Sequence, residues 1–138
     1  MTKIILFFFI VFQIALSKTY YDTITDFEIV KVKDGDTFVI NVKNILDVFG
    51  EEIAVRIRGI DTPELKDERE EIRKISIQAK EELEKLLFSG GKVILYNLGR
   101  DKYFRLLASV KVDDVDVAEY MIKKGLAKSY DGGAKAGW

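Results

Sequence analysis

Apolar and polar residues alternate along "FEIVKVK" (27–33) and "TFVINV" (37–42), on either side of "DGD". A period of two puts successive side chains on opposite faces of a strand, and Asp-Gly between two such runs predicts a β-hairpin whose turn includes Gly35. A third strand is predicted at about 52–59, with Ile53, Val55 and Ile57 on one face and Ala54, Arg56 and Arg58 on the other. From about Asp67 to Phe88 the period lengthens to about 3.6. Ile72, Ile75, Ala79, Leu83 and Leu86 then form one apolar stripe on a long helix, ended by "SGG" at 89–91. "KVILYN" (92–97) is predicted as a fourth strand, "LGRD" as a turn and "YFRLLASVKV" (103–112) as a fifth strand. A shorter helix from Val117 to Lys124 stops at Gly125, and "LAKSYDGGAKAGW" reads as an extended piece with a glycine turn. Five short strands with a long helix between the third and fourth predict a mainly β chain with helices, a five-stranded barrel of the OB type.

Ahead of this domain, residues 1–17 combine Lys3, an apolar run of about 13 residues broken only by Gln13, and small residues at Ala15 and Ser17. This is the layout of a signal peptide cleaved after Ser17, and the run is shorter than the roughly 20 residues of a spanning helix. The expectation is a secreted or periplasmic protein with no stable membrane insertion after cleavage, an uncleaved anchor being the alternative. Residues 18–26, "KTYYDTITD", read as a flexible lead-in, leaving 27–138 as a single domain.

Composition removes several chemistries. The chain has no cysteine and no histidine, so thiolate zinc sites, histidine-ligated metals and catalytic triads with a histidine base are excluded. A hydrolase built from this chain needs a carboxylate, lysine or tyrosine as its base. The 22 basic and 23 acidic side chains leave a formal charge of −1, so no global basic field attracts polyanions and phosphate binding must be local.

Three clusters lie at predicted strand ends or turns, where side chains can converge without being spent on the core: "DGDT" at 34–37, "R…DTPE" at 56–64 and "DKYFR" at 101–105. Each carries two readings. "DGDT" is a favoured hairpin turn, or a turn whose carboxylate supplies oxygen to a hard cation. Arg56 and Arg58 are a solvated strand face, or fixed guanidinium groups for phosphate. "DTPE" starts the helix, with Thr62 as cap, Pro63 in the first turn and Glu64 on the positive end of the dipole, or it presents a metal ligand and a base. Tyr103 is a core aromatic of a strand, or a surface for unstacked bases. The "ERE…RK" run at 68–74 reads as a solvated helix face.

Hydrolysis of a phosphodiester builds negative charge on non-bridging oxygens and needs a base for the attacking water. Asp36, Asp61 and a threonine carbonyl or water could hold a hard divalent ion, Arg56 and Arg105 could neutralise phosphate, and Glu64 could take the proton. A metal is nearly required, because three carboxylates would otherwise repel a phosphate.

"VKDGDTFVI", "RIRGIDTPE" and "DKYFRLLASV", followed by "GLAKSYDGG", resemble in order and spacing the staphylococcal nuclease (thermonuclease) family over about residues 27–133. The resemblance implies a calcium ion, or another hard divalent ion, held by Asp36, Asp61 and the backbone carbonyl of Thr62. It implies Glu64 as general base or water-orienting group, Arg56 and Arg105 on the phosphate and transition state, and Lys102 and Tyr103 as substrate contacts, with Asp34 at most supporting. It further implies a monomeric metal-dependent endonuclease acting on DNA and RNA with low sequence specificity, favouring single strands and leaving 3′-phosphates. The alternative is a catalytically weak nucleic-acid-binding module of the same fold.

Three departures matter. Phe104 stands where the family usually has glycine, which puts the position of Arg105 in question if that glycine has a positive φ. Arg58 stands where apolar residues are frequent, and either adds a phosphate contact or is solvated. The family's further C-terminal helix is expected to be shortened or absent, as in a compact bacterial secreted branch.

Overall fold

The computed structural model describes residues 23–135 together with 137 and 138. The expected signal (1–17) and the first part of the lead-in lie outside the described residues. The elements are β1 (Thr23–Ile24), β2 (Phe27–Asp34), β3 (Thr37–Val42), α1 (Asp47–Gly50), β4 (Ile53–Ile57), β5 (Ile60–Asp61), α2 (Glu70–Leu87), β6 (Val93–Arg100), β7 (Leu106–Val112), β8 (Val115–Asp116), α3 (Val117–Lys123) and β9 (Lys128–Ser129). The end of the expected lead-in is therefore structured: Thr23 and Ile24 pair with Tyr96 and Leu95 of β6.

In the main sheet the strands follow the order β1-β6-β7-β4-β3-β2, with β8 added to β7. Only β4 and β7 run parallel; the other pairs are antiparallel. The path begins on β1 and ends on β2, which are separated in the chain by only Thr25 and Asp26. One stretch of chain thus serves both edges of the sheet, so the sheet must curl round upon itself. The five long strands β2, β3, β4, β6 and β7 correspond to the five predicted from sequence, and the OB-type barrel is what they build.

Inside lie Phe38, Ile40, Val55, Ile57, Leu95 and Val110, all essentially inaccessible to solvent, and the helices close over them with Ala79, Leu83, Val117 and Met121. Asp116 caps α3 by accepting the Glu119 N–H at 3.0 Å, which sets the start of that helix where its sequence suggests. Among the described residues no helix is long and apolar enough to cross a membrane.

Three boundaries differ from the sequence reading. Helix α2 starts at Glu70, not near Asp67 and not at "DTPE". Thr62 is too far from that start to cap it: Arg69 holds the N-cap position, and Thr62 donates its backbone N–H and hydroxyl to Asp36. The stripe is also rotated: the buried positions are Ser76, Ala79, Leu83 and Leu87, whereas Ile72, Ile75 and Leu86 are half-buried. Ser76 tolerates burial because its hydroxyl bonds the Arg73 carbonyl at 2.7 Å.

Strand β6 passes through the predicted "LGRD" turn to Arg100, absorbing the irregularity as a register slip between Tyr96 and Gly99 with Asn97 at φ 50°. The fifth strand correspondingly starts at Leu106 instead of 103. Residues 101–105 form the connecting turn, closed by the Asp101 N–H to the Arg105 carbonyl (3.2 Å) and the Phe104 N–H to the Asp101 carbonyl (3.1 Å).

Gly35 fixes how the β2–β3 turn meets the rest of the domain. A Cβ there would stand 2.6 Å from Ala79 Cβ and 2.9 Å from Thr62 Cγ2. The turn is therefore pressed directly against α2 and the segment after β5. Gly35→Ala is expected to destabilise the protein by about 1–3 kcal/mol, the usual cost of an added methyl in a packed interior; urea denaturation measures it, and unchanged stability would mean that the turn is not held there.

Candidate active site

Asp36 stands at the end of the tight turn between β2 and β3, where Asp34 Oδ1 accepts its N–H at 3.1 Å. Asp61 ends β5, held by pairing with Lys128 of β9. Between them lies Arg56 of β4, 7% exposed. Its Nη2 is 3.1 Å from Asp36 Oδ2 and 3.4 Å from Asp61 Oδ1, while Nη1 donates to the Ile57 carbonyl at 3.0 Å. Asp36 Oδ2 also accepts from the Thr62 N–H (2.9 Å) and hydroxyl (3.0 Å), and Asp36 Oδ1 accepts from the Thr37 hydroxyl (2.9 Å). The solvated-face reading of Arg56 is thereby corrected: its guanidinium is drawn inward by two buried acids.

Two carboxylates and one guanidinium leave the cluster with excess negative charge. Burial pushes the Asp36 carboxyl above the ordinary carboxylate range; Arg56 opposes this, and neighbouring Asp34 reinforces it. The second cation present is one the sequence reading did not single out. Lys135 Nζ is 3.0 Å from Asp61 Oδ1 and 3.7 Å from Glu64 Oε1. The hydrogen bond to Asp61 raises the Lys135 ammonium above its usual range despite partial burial. Its recruitment depends on the β5–β9 pair and on the Tyr130 N–H bonding the Gly59 carbonyl at 2.9 Å, which brings the tail back across the site. A lysine in "GGAKAGW" gives no local sign of this.

On the opposite wall, Arg105 Nε donates to Asp101 Oδ2 at 2.6 Å, and Asp101 Oδ1 accepts the N–H groups of Tyr103 (2.8 Å) and Arg105 (3.0 Å). Although burial works against it, this set of donors, led by Arg105, holds the Asp101 carboxyl below its ordinary range. Asp101 thus acts as the anchor of the turn, a role the sequence reading did not assign. Tyr103 is 66% exposed and so is not a core aromatic; its ring lies 5.1 Å from Lys102 Nζ and 5.5 Å from the Arg105 guanidinium carbon.

Phe104 adopts φ 62°, the left-handed region, at a cost of roughly 1–2 kcal/mol for a residue with a Cβ. In doing so it leaves Arg105 on the cleft wall, so the substitution does not remove that residue from the site. Arg58 is neither simply solvated nor committed to a ligand. Its Nε and Nη2 donate to the Asn97 carbonyl (3.1 and 2.8 Å), bracing the irregular step of β6 from the next wall.

One cleft of about 1190 Å³ joins these walls. Asp36, Arg56, Asp61, Thr62, Glu64, Lys102, Tyr103 and Arg105 all line it, so the structure gathers every candidate residue into one place. Among the described residues no three acidic side chains converge tightly enough to form a metal cluster by themselves. Asp36 and Asp61 converge in the cleft by sharing one nitrogen of Arg56. The "ERE…RK" run is exposed at the start of α2, as expected.

The family model described as staphylococcal nuclease homologue matches residues 54–136, more than half of the chain. Over 107 residues the chain is 34% identical to the SPbeta prophage-derived endonuclease YokF of Bacillus subtilis (strain 168), covering 76% of this chain and 34% of that protein. Over 97 residues it is 37% identical to endonuclease YncB of the same organism, covering 69% of this chain and 43% of that one. The chain thus spans less than half the length of the curated relatives it matches.

The burial of Asp36 has a measurable consequence. A carboxyl whose folded pKa lies above its unfolded value favours the folded state when protonated and loses that contribution as pH rises through the folded pKa. Asp36→Asn keeps an acceptor for Thr62 and Arg56 without the buried charge. In excess chelator it is expected to stabilise the protein at neutral pH by about 1 kcal/mol or more, the gain shrinking as pH falls through the raised folded pKa and gone once pH is below the ordinary aspartate range. Thermal melts across pH test this; a destabilised variant at neutral pH would contradict it.

Proposed function

Because this chain belongs to the family of staphylococcal nuclease homologues, we propose that it is an exported, metal-dependent endonuclease that hydrolyses DNA and RNA phosphodiesters with low sequence specificity, prefers single strands and leaves 3′-phosphates. The observation that carries this reading is the single cleft that holds two buried acids, an exposed carboxylate and guanidinium groups on two walls. Secretion or periplasmic residence, and action as a monomer, belong to the same proposal.

The oxygen donors suit a hard divalent ion, and calcium is the ion proposed. Asp36 Oδ2 and Asp61 Oδ1 both approach one point already occupied by positive charge, and the available donors are oxygens. Asp36, Asp61 and the Thr62 carbonyl would hold the ion, which supplies Lewis-acid stabilisation of phosphate charge. The family is generally metal-dependent.

The chain's own residues divide the remaining work. Glu64, with 79% of its side chain exposed on the cleft, accepts a proton from the attacking water. Arg105 uses only Nε in its pair with Asp101, so its other nitrogens remain donors for phosphate oxygens. Arg56 contributes charge from beneath, between the two acids. Lys102 and Tyr103 meet the flanking nucleotide, and unpaired strands are preferred because their bases can leave the stack to lie on an aromatic ring.

The test is kinetic. Glu64→Gln is expected to lower turnover on a single-stranded oligonucleotide by about 100-fold or more, while changing substrate affinity little, because proton transfer matters only in the transition state. Equal loss of affinity and turnover would contradict the assignment.

Lys135 gives a second check. Its ammonium competes for Asp61 Oδ1, so Lys135→Ala is expected to lower the calcium concentration at which the melting temperature begins to rise. An unchanged calcium dependence would argue against Asp61 as a ligand.

A further inference from the structure

Five non-glycine residues among those described have a positive φ: Asn44, Glu52, Asn97, Phe104 and Asp113. Four are polar. Phe104 alone carries a large apolar side chain, and it is 80% exposed. The strained conformation is therefore not offset by burial of the ring, which stands in water. Phe104 is held in this strained conformation between Tyr103 and Arg105, both of which line the cleft, so its exposed ring stands beside that wall, where a base flanking the bound phosphates can meet it.

The turn is also held stiffly. Asp101 accepts two backbone N–H groups and the Arg105 side chain, and Arg100 Nη1 donates to the Phe104 carbonyl at 2.9 Å. Arg100, Lys102 and Arg105 surround the ring's backbone with positive charge on a chain of formal charge −1. Tyr103, immediately before it, already engages two of those cations with its ring.

We infer that Phe104 is a specificity-determining residue. It offers a second stacking surface, beside Tyr103, for an unpaired base of the strand whose phosphates enter the cleft. This rests on the nuclease reading above and deepens it: the preference for single strands would come in part from this ring, because a base inside a duplex cannot reach it. Stacking on a phenyl group tolerates any base, so the contact discriminates strand state without discriminating sequence.

The test compares Phe104→Asn, which tolerates a positive φ but has no ring, with Phe104→Trp, which keeps one. Binding of a labelled single-stranded oligonucleotide is followed by anisotropy in excess chelator, alongside a duplex of the same sequence and a strand carrying abasic sites. Cleavage of a small phosphodiester without flanking bases is measured separately with calcium. The expected result is about tenfold weaker single-strand binding for Phe104→Asn, near-normal binding for Phe104→Trp, and no effect on the duplex, the abasic strand or the small ester. Equal single-strand affinity for wild type and Phe104→Asn, with cleavage intact, overturns the stacking role while leaving the nuclease reading in place. Equal weakening on the abasic strand also overturns it, since the ring would then act only through the turn. A wild-type protein that neither binds nor cleaves overturns both.

Discussion

The guanidinium of Arg56 is the point on which the site depends. It lies under the barrel surface with one nitrogen between Asp36 and Asp61, and so ties the β2–β3 turn to the end of β5 through two charge-assisted bonds. Leaving two carboxylates in that location without it would cost several kcal/mol. The turn so held also presses on Thr62, which donates twice to Asp36 and leaves no room for a Cβ at Gly35, and the residual negative charge of the two acids faces the cleft. A cation is the natural complement to that charge, and in the structure the ammonium of Lys135 partly provides it.

The opposite wall follows a related design on a smaller scale. Asp101 gathers the backbone of a tight turn and the side chain of Arg105, and its charge is sustained by those donors. This allows the connection between β6 and β7 to display Tyr103 and Phe104 outward without losing its shape. The two walls belong to strands far apart in sequence but joined through the parallel β4–β7 pair, which sets Arg56 opposite Leu107 and leaves Arg105 immediately before the start of β7. Chemistry at the cleft is thus positioned by barrel register.

Much of this is legible in the amino-acid sequence. The five main strands follow from period-two alternation, because each buries one face, and the eight candidate residues follow from motifs whose order the barrel preserves. What was not legible depends on tertiary context. "DTPE" satisfies the rules for a helix start as well as those for a turn, and only the approach of Asp36 decides where the Thr62 hydrogen bonds go. The "LGR" segment looks like a turn, yet Arg58 from β4 holds the Asn97 carbonyl and keeps β6 in the sheet to Arg100. Lys135 enters the site because β9 pairs with β5 some 67 positions earlier in the chain, a long-range fact that no local pattern carries.

The central claim is that the charge cluster around Arg56 serves calcium-assisted hydrolysis of nucleic acid. End-group analysis of the products from a single-stranded oligonucleotide incubated with the full chain, in calcium and again in excess chelator, tests it most directly. The account predicts internal cleavage in calcium, with 3′-phosphate and 5′-hydroxyl ends, and none once the ion is removed. Undiminished cleavage in chelator, or no cleavage with the ion present, would contradict it.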